Sequence, residues 1–436
     1  MNINLDNLRK KNFAIYGLGI TGRSVINFFR KNNFKNYIIW DDDIKVLKSN
    51  LGRDYNHAKK KFSRFINFVD YIILSPGINI HNTKLKNLLL KNKKKIITDL
   101  DLFYLINPNT KSIVVTGTNG KSTTCKLIEH ILKKNNINVC LGGNIGSPIL
   151  KINIKKNSLA LIEASSFQLA YSKFIKPNYA LILNITNDHL DWHGSINNYI
   201  KSKFKIFSLQ NKNDFAFLNS SKLLKKFKKR KYKSKITLVD TKKYKKIKNK
   251  IKNNYLNLKV NEENMSFAYA LSKIFKIKES SFIKSLKTFK GLEHRHEIFY
   301  KKNNKIFIND SKATSFTASK YALENNENIL WIVGGVPKIG DKILIQNLKK
   351  NIIKAYIIGN HLGFFKKFLK NKIYFKICKT LEAAVASIFF DMKNFHNEKT
   401  TILLSPSSAS YDQFKNFNER GNKFKKLVRI YAKKNF

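Results

Sequence analysis

Acidic residues are scarce in this chain: 28 Asp and Glu stand against 84 Lys and Arg among 436 residues, a formal net charge of +56. Such an excess ordinarily raises nucleic acid or an anionic membrane as a partner. Here the basic residues run along the whole chain among Asn, Ile and Phe, without a base-stacking motif or an aromatic-interleaved basic stripe. Lys, Asn, Ile and Phe share A/T-rich codons. The excess is therefore expected to be compositional, with salt-sensitive adhesion to polyanions as its by-product and no specific nucleic-acid partner. Cysteine is also sparse. Cys125, Cys140 and Cys378 form no C-x-x-C and cannot all pair, which excludes a disulfide framework and suits a reducing compartment. No apolar run approaches the roughly 18 residues of a membrane span, and residues 1–11 carry Asp6 and no apolar signal core. A cytoplasmic monomer with no membrane insertion is expected. Where acids are rare, an Asp or Glu inside a motif carries more weight.

The length exceeds what one hydrophobic core usually organises, so two or three domains are expected. Short apolar runs at Phe13–Tyr16, Tyr37–Trp40, Tyr71–Leu74, Ser112–Thr116, Leu159–Glu163 and Tyr179–Asn184 alternate with helical-period stretches, the rhythm of parallel α/β sheets. A third series follows at Lys305–Asn309, Ile329–Val333, Ala355–Ile358 and Thr401–Leu404, with a helix predicted over Ser315–Glu324. This predicts an α/β protein of three domains, 1–97, 98–298 and 299–436. The Lys-dense segment Lys222–Asn254 is expected to form a solvated helix and loops.

The first strand runs into Gly17-Leu-Gly19-Ile-Thr21-Gly22, and the second ends at Trp40-Asp41-Asp42-Asp43. This spacing suits a dinucleotide or a uridine diphosphate, whose pyrophosphate lies against backbone N–H groups at a helix start; a ligand-free strand–helix turn fits it equally. Ser75-Pro-Gly77 after the third strand repeats the theme. The stronger signal is Thr116-Gly117-Thr118-Asn119-Gly120-Lys121-Ser122-Thr123 after the next strand. There, backbone amides and Lys121 can surround phosphates while Ser122 can ligate Mg²⁺. The loop is a shorter variant of G-x-x-x-x-G-K-[ST], with Val115 where the first Gly stands. Packing alone does not call for Lys followed by three hydroxyl residues.

Glu163 ends the following strand, ahead of Ser165 and Gln168, and Asn184-Ile-Thr-Asn-Asp188-His189-Leu-Asp191 ends the one after. Strand ends in parallel sheets face the ligand crevice, so Glu163 and His189 are placed beside the phosphate loop, suited to a divalent ion. Farther on, Asn309-Asp310-Ser-Lys312-Ala-Thr314, Gly334-Gly335-Val-Pro-Lys338 and Ser405-Pro-Ser-Ser-Ala-Ser410-Tyr-Asp412-Gln-Phe-Lys-Asn-Phe417 each follow a strand. Hydroxyls, lysines and amides gathered there suit a small dianion, although Asp310 or Ser410 alone could be a helix cap.

Taken together, the Thr116–Thr123 run, Asn309–Thr314 and the segment Ser405–Gly421 resemble the Mur ligase family over the whole length, most closely its D-glutamate-adding branch. The resemblance implies Rossmann-like N- and C-terminal domains around a central P-loop-type ATPase domain. It implies an ATP-dependent ligase acting on UDP-N-acetylmuramoyl-L-alanine and D-glutamate through an acyl phosphate. Carried over by motif, Gly19, Thr21, Asp41, Asp42, Gly77, Asn144, Ser165 and Gln168 contact the UDP-sugar. Gly117–Thr123 hold ATP, with Asn264, Arg295, Asp310 and Lys312 completing that site. Ser122, Glu163, His189 and Lys203 serve two Mg²⁺ ions, Lys203 being expected in carbamylated form. Thr314, Lys338, Ser410 and Phe417 hold D-glutamate. The chain departs from the family at Glu263-Asn264-Met-Ser-Phe267, where H-N-x-x-N is usual, and at Glu293, where Pro is usual. A folylpolyglutamate-type ligase shares the ATP motif without the Gly17–Gly22 loop, and an oxidoreductase leaves the second loop unexplained.

Overall fold

The computed structural model describes residues 5–51, 61–253, 255–258, 261–338, 345–395 and 399–435; residues 1–4 and Asn254 lie outside them. The chain forms two compact units, Met1–Phe289 and Lys290–Phe436. Three sheets carry the architecture, two in the first unit and one in the second. Among the described residues no helix is long and apolar enough to cross a membrane.

In the first sheet, β1 (Phe13–Tyr16), β2 (Tyr37–Trp40), β3 (Tyr71–Leu74) and β4 (Ile96–Ile97) lie in the order β2-β1-β3-β4, with every pairing parallel. The helix Ile20–Lys31 follows β1 and buries Val25, Ile26 and Phe29 against it, while Arg30 and Lys31 favour its C-terminal dipole. Gly22 allows the close approach of helix to strand: a Cβ there would lie 1.9 Å from the Gly17 carbonyl oxygen. Gly22→Ala is therefore expected to lower stability by about 1–3 kcal/mol or more. Gly19→Ala, which meets nothing within 4 Å, should leave the melting temperature unchanged. Thermal melts of the two variants check the pair, and equal behaviour would contradict the packing.

The second sheet comprises β5 (Ser112–Thr116), β6 (Val139–Gly143), β7 (Leu159–Glu163), β8 (Tyr179–Ile182), β9 (Phe215–Leu218) and β10 (Lys235–Leu238), ordered β10-β9-β8-β5-β7-β6 and all parallel. Its central strands are apolar on both faces, as parallel strands between helical layers must be. β8 ends earlier than predicted because Asn184 turns to accept the Thr118 N–H. The Lys-dense segment is more ordered than expected. It holds β10 and the helices Ser221–Lys229 and Thr241–Lys248, with Phe227, Val239, Tyr244 and Ile247 buried. Lysine stems had masked the apolar stripe.

The third sheet is ordered β11-β12-β16-β13-β14-β15, from β11 (Glu297–Lys302), β12 (Lys305–Asn309), β13 (Ile329–Gly334), β14 (Ile352–Ile358), β15 (Phe375–Lys379) and β16 (Thr400–Leu404). The β11–β12 hairpin is antiparallel, and the other strand pairings of this sheet among the described residues are parallel. Alternation along β13 divides two cores: Leu330 and Ile332 face one, Trp331 and Val333 the other. Each fully buried side chain of this size contributes roughly 1.5–3 kcal/mol.

Candidate active site

Between β5 and the helix Lys121–Lys134 the chain turns through Gly117 and Gly120, the latter left-handed at φ +81°. Lys121 folds back over this turn, its Nζ donating to the carbonyls of Gly117 and Thr118 at 2.9 Å each. Ser122 and Thr123 begin the helix and are buried. Thr118 Oγ1 meets the Tyr199 hydroxyl at 3.0 Å and accepts the Thr186 N–H at 3.0 Å. Asn264 lies behind the loop. It is buried, its Oδ1 accepts from Thr124 Oγ1 at 3.1 Å, and a Cβ on Gly120 would fall 2.2 Å from that same oxygen. Asn264 thus supports the loop from within the protein.

Lys203, on the helix Ile196–Phe204, is 1% exposed. Its Nζ donates to the Gly117 carbonyl at 2.7 Å, so two lysines converge on one oxygen, and it sits 4.6 Å from the Tyr199 ring centre. Burial, then the charge of Lys121, pushes its pKa well below the usual ammonium range, with Asp188 and Glu163 opposing. Glu163 ends β7 beside Val115 and is 1% exposed. Its Oε1 accepts from Asn144 Nδ2 at 2.8 Å, whereas Oε2 is buried without a hydrogen-bond partner among the described residues. His189 stands on other contacts, Asp188 Oδ2 at 3.4 Å and the Phe167 ring at 4.6 Å, and has a left-handed backbone. Among the described residues no three His, Cys, Asp or Glu side chains gather as a metal cage.

Sequence reasoning missed the polar residues that tie these pieces together. Asn184, after β8, binds the Asn119 peptide, and Asn219, after β9, bonds Glu263. Glu263 accepts from both amides; burial raises its pKa while those two donors lower it. Asn219 obeys the same strand-end rule as Glu163, but β9 itself escaped notice as a four-residue run. His193 was also missed. Its Nε2 meets Ser166 Oγ at 3.0 Å, and burial pulls its pKa down to about 4, helped by His189 and Lys203.

Two expected substrate contacts also make bonds inside the fold. Ser165 and Gln168 form the capping box of the helix Ser166–Tyr171, and the Gln168 amide also reaches Asp99 at 3.3 Å. Both side chains are buried. Asn144, expected at the UDP-sugar, touches Glu163. In the N-terminal loop, Asp41 Oδ2 accepts the Leu18 N–H at 2.6 Å, and Asp42 accepts from Trp40 Nε1 and the Lys84 N–H. These carboxylates shape the loop. Gly19 opens the helix Ile20–Lys31 with no side-chain cap, Thr21 lies half-buried in its first turn, and nothing lies within 4 Å of a Cβ built on Gly77. A helix start of this kind suits a phosphate group.

In the second unit, Asp310 is buried, accepting from Ser405 Oγ at 2.7 Å and from the His296 N–H at 3.1 Å. Burial pushes its pKa up to about 7 against those bonds and the charge of Arg295. Lys312 Nζ sits 3.6 Å from the Phe417 ring centre. Arg420, 1% exposed, donates to Ser311 Oγ and to the carbonyls of Ser311 and Ser408, drawing the Asp310–Thr314 and Ser405–Phe417 segments together. Ser410 is buried at that junction, Thr314 is half-buried before the Ser315 cap, and Lys338 is exposed.

Residues 115–288 match the Mur ligase middle domain, and residues 11–97 the Mur ligase MurD-like N-terminal domain. The UDP-N-acetylmuramoylalanine–D-glutamate ligase of Rickettsia felis is 36% identical over 445 residues, covering 97% of this chain and 98% of that protein. The chain belongs to the Mur ligase family, in the branch of the UDP-N-acetylmuramoylalanine–D-glutamate ligases. The Aquifex aeolicus ligase of the same name is 32% identical over 434 residues, covering 96% of this chain and 99% of that protein. Among solved structures, the UDP-N-acetylmuramate–alanine ligase MurC of Thermotoga maritima aligns with a TM-score of 0.57 at 16% identity, covering 96% of this chain and 99% of that one. The MurF ligase of Thermotoga maritima in complex with ADP gives 0.55 at 16% identity, covering 85% and 92%. At such identities the likeness concerns the fold, which is the three-sheet α/β architecture of Mur ligases.

Proposed function

We propose that this chain joins D-glutamate to UDP-N-acetylmuramoyl-L-alanine at the expense of ATP, working in the cytoplasm as a monomer of three domains, 1–97, 98–298 and 299–436. The observation that carries this reading is the phosphate turn Gly117–Thr123 with Lys121 folded over it and the unpartnered Glu163 Oε2 beside its strand. A carboxylate resists attack by an amine, so its oxygen first attacks the γ-phosphorus of ATP. The bond from γ-phosphorus to its bridging oxygen breaks, ADP leaves, and the alanyl carbonyl is left with a phosphate leaving group. The amine of D-glutamate then attacks that carbonyl carbon, the amine proton departs, and the carbon–oxygen bond to phosphate breaks to leave the amide.

Lys121, at the start of its helix, supplies positive charge to the transferring phosphoryl group. The residues present fit Mg²⁺: Oε2 of Glu163 is a buried acceptor in want of a partner, and Ser122 offers a hydroxyl. With no protein cage among the described residues, the remaining ligands would fall mainly to phosphate oxygens and water, the manner in which Mg²⁺ is usually held, with His189 as the assigned nitrogen donor. When bound, two such ions would offset the charge that develops on the phosphoryl oxygens. Lys203 suits carbamylation, because its buried amine disfavours the charged form and its product would be an anion beside the Lys121 cation. The Gly17–Gly22 turn, with Gly77, would take the uridine diphosphate, shaped by Asp41 and Asp42. Arg295, Asp310 and Lys312 would serve ATP, and Thr314, Lys338, Ser410 and Phe417 would take D-glutamate.

An assay of ATP hydrolysis coupled to product mass, with D-glutamate, L-glutamate and other amino acids in parallel, tests this. The expected outcome is a D-glutamate-dependent amide product with one ADP per bond. Equal use of another amino acid would overturn the assigned substrate, and ATP turnover without an amide product would overturn ligation.

A further inference from the structure

The main chain of Asn119, in the middle of the phosphate turn, is held at both its N–H and its carbonyl by one side-chain amide. Asn184 Oδ1 accepts the Asn119 N–H at 2.9 Å, and Asn184 Nδ2 donates to the Asn119 carbonyl at 3.3 Å. An amide side chain can turn over and exchange its two ends. A flip here would face donor with donor and acceptor with acceptor across the turn. Glu263 removes that freedom. Its ionised carboxylate can only accept, so the end of Asn184 that faces it must be the NH₂ group, and the oxygen must face the loop. The other carboxylate oxygen is taken by Asn219 Nδ2. A chain of bonds therefore runs from the end of β9 through Glu263 and the segment after β8 to the turn after β5. The next residue, Asn264, abuts Gly120 from behind, so two consecutive residues of one helix contact the same turn's surroundings.

We infer that Glu263 is a positioning residue for ATP, fixing the Asn119 peptide through Asn184 and thereby the orientation of the Gly117–Thr123 amides toward the triphosphate. This rests on the reading of that turn as the ATP site.

Steady-state kinetics on the full chain test it, with ATP binding by equilibrium dialysis as a second measurement. Losing a hydrogen bond to a charged group, Glu263→Ala is expected to raise KM for ATP about tenfold, with kcat and the KM for the UDP-sugar changed less than about threefold. Asn184→Asp places two carboxylates against each other and should raise the ATP KM by a similar factor. Adding Glu263→Gln reverses the polarity of the pair, since the Gln amide donates to the introduced carboxylate while that carboxylate still accepts the Asn119 N–H. The double variant should then recover at least about threefold of the rise in ATP KM, though not all of it, because the Asn119 carbonyl still lacks the donor that Asn184 Nδ2 supplied. An ATP KM indifferent to Glu263→Ala, or an Asn184→Asp defect that Glu263→Gln fails to relieve, overturns the brace while leaving the ligase reading in place. If the unsubstituted chain binds no ATP, the nucleotide reading and the brace fall together.

Discussion

Glu163→Gln is expected to lower kcat by about 10²–10³-fold, the scale of losing one electrostatic stabiliser of a transition state. Without divalent ions, the same change should leave the melting temperature equal to or above that of the unsubstituted chain. The two effects have one origin. A carboxylate at 1% exposure keeps one oxygen satisfied by Asn144 and holds the other without a partner. An ion bound there would use this unsatisfied charge; without an ion it is a cost to the fold. Glutamine keeps the volume and the bond from Asn144 but cannot attract a cation. Melts with and without Mg²⁺ and a nonhydrolysable nucleotide, beside turnover across a Mg²⁺ series, check this. Undiminished kcat, or an unaltered Mg²⁺-nucleotide stabilisation, would rule out Glu163 as the metal carboxylate.

What the sequence made legible was whatever repeats or stands out against its background. Most strands inside the sheets were visible as short apolar runs, because burial on both faces demands continuous apolar residues; β9 was the exception. Among edge strands β2 was visible as Tyr37–Trp40, but β10, with Lys235 and Thr237 among its four residues, is largely exposed and carries no such run, and β4 has only two residues. Glu163 and Asp310 were found because acids are rare and both stand at strand ends. Gln168 carries a structural role that its motif does not announce. A capping box uses Ser and Gln at the same spacing that a substrate contact could, and only the packing reveals that both side chains are spent on the helix start and Asp99. Asn184, Asn219 and Arg420 act by bridging segments distant in sequence, and no local pattern encodes such a partner.

Lys203→Ala is expected to reduce turnover about 10–100-fold, the usual effect of removing a group that supports a metal ligand set. Turnover of the unsubstituted chain should fall in carbon dioxide-depleted buffer and recover with bicarbonate. The amine is enclosed by the Gly117 carbonyl, Thr116 Oγ1 and the Tyr199 ring, and faces the charge of Lys121. That environment favours the neutral amine, whose lone pair can add to carbon dioxide. It also fixes a sign for stability. The folded pKa lies below the unfolded value of 10.5, so between the two the unfolded chain binds a proton that the native chain refuses. Stability of the unmodified protein therefore rises with pH through that window and is lowest beneath it. A carbamate no longer titrates as an amine, so added bicarbonate should flatten this rise, and Lys203→Ala should abolish it. Bicarbonate labelled with carbon-13 should give one carbamate resonance that is absent from the Lys203→Ala spectrum. An unlabelled protein with full activity, or an alanine variant that turns over normally, would show that the buried amine serves the loop only as a hydrogen-bond donor to Gly117.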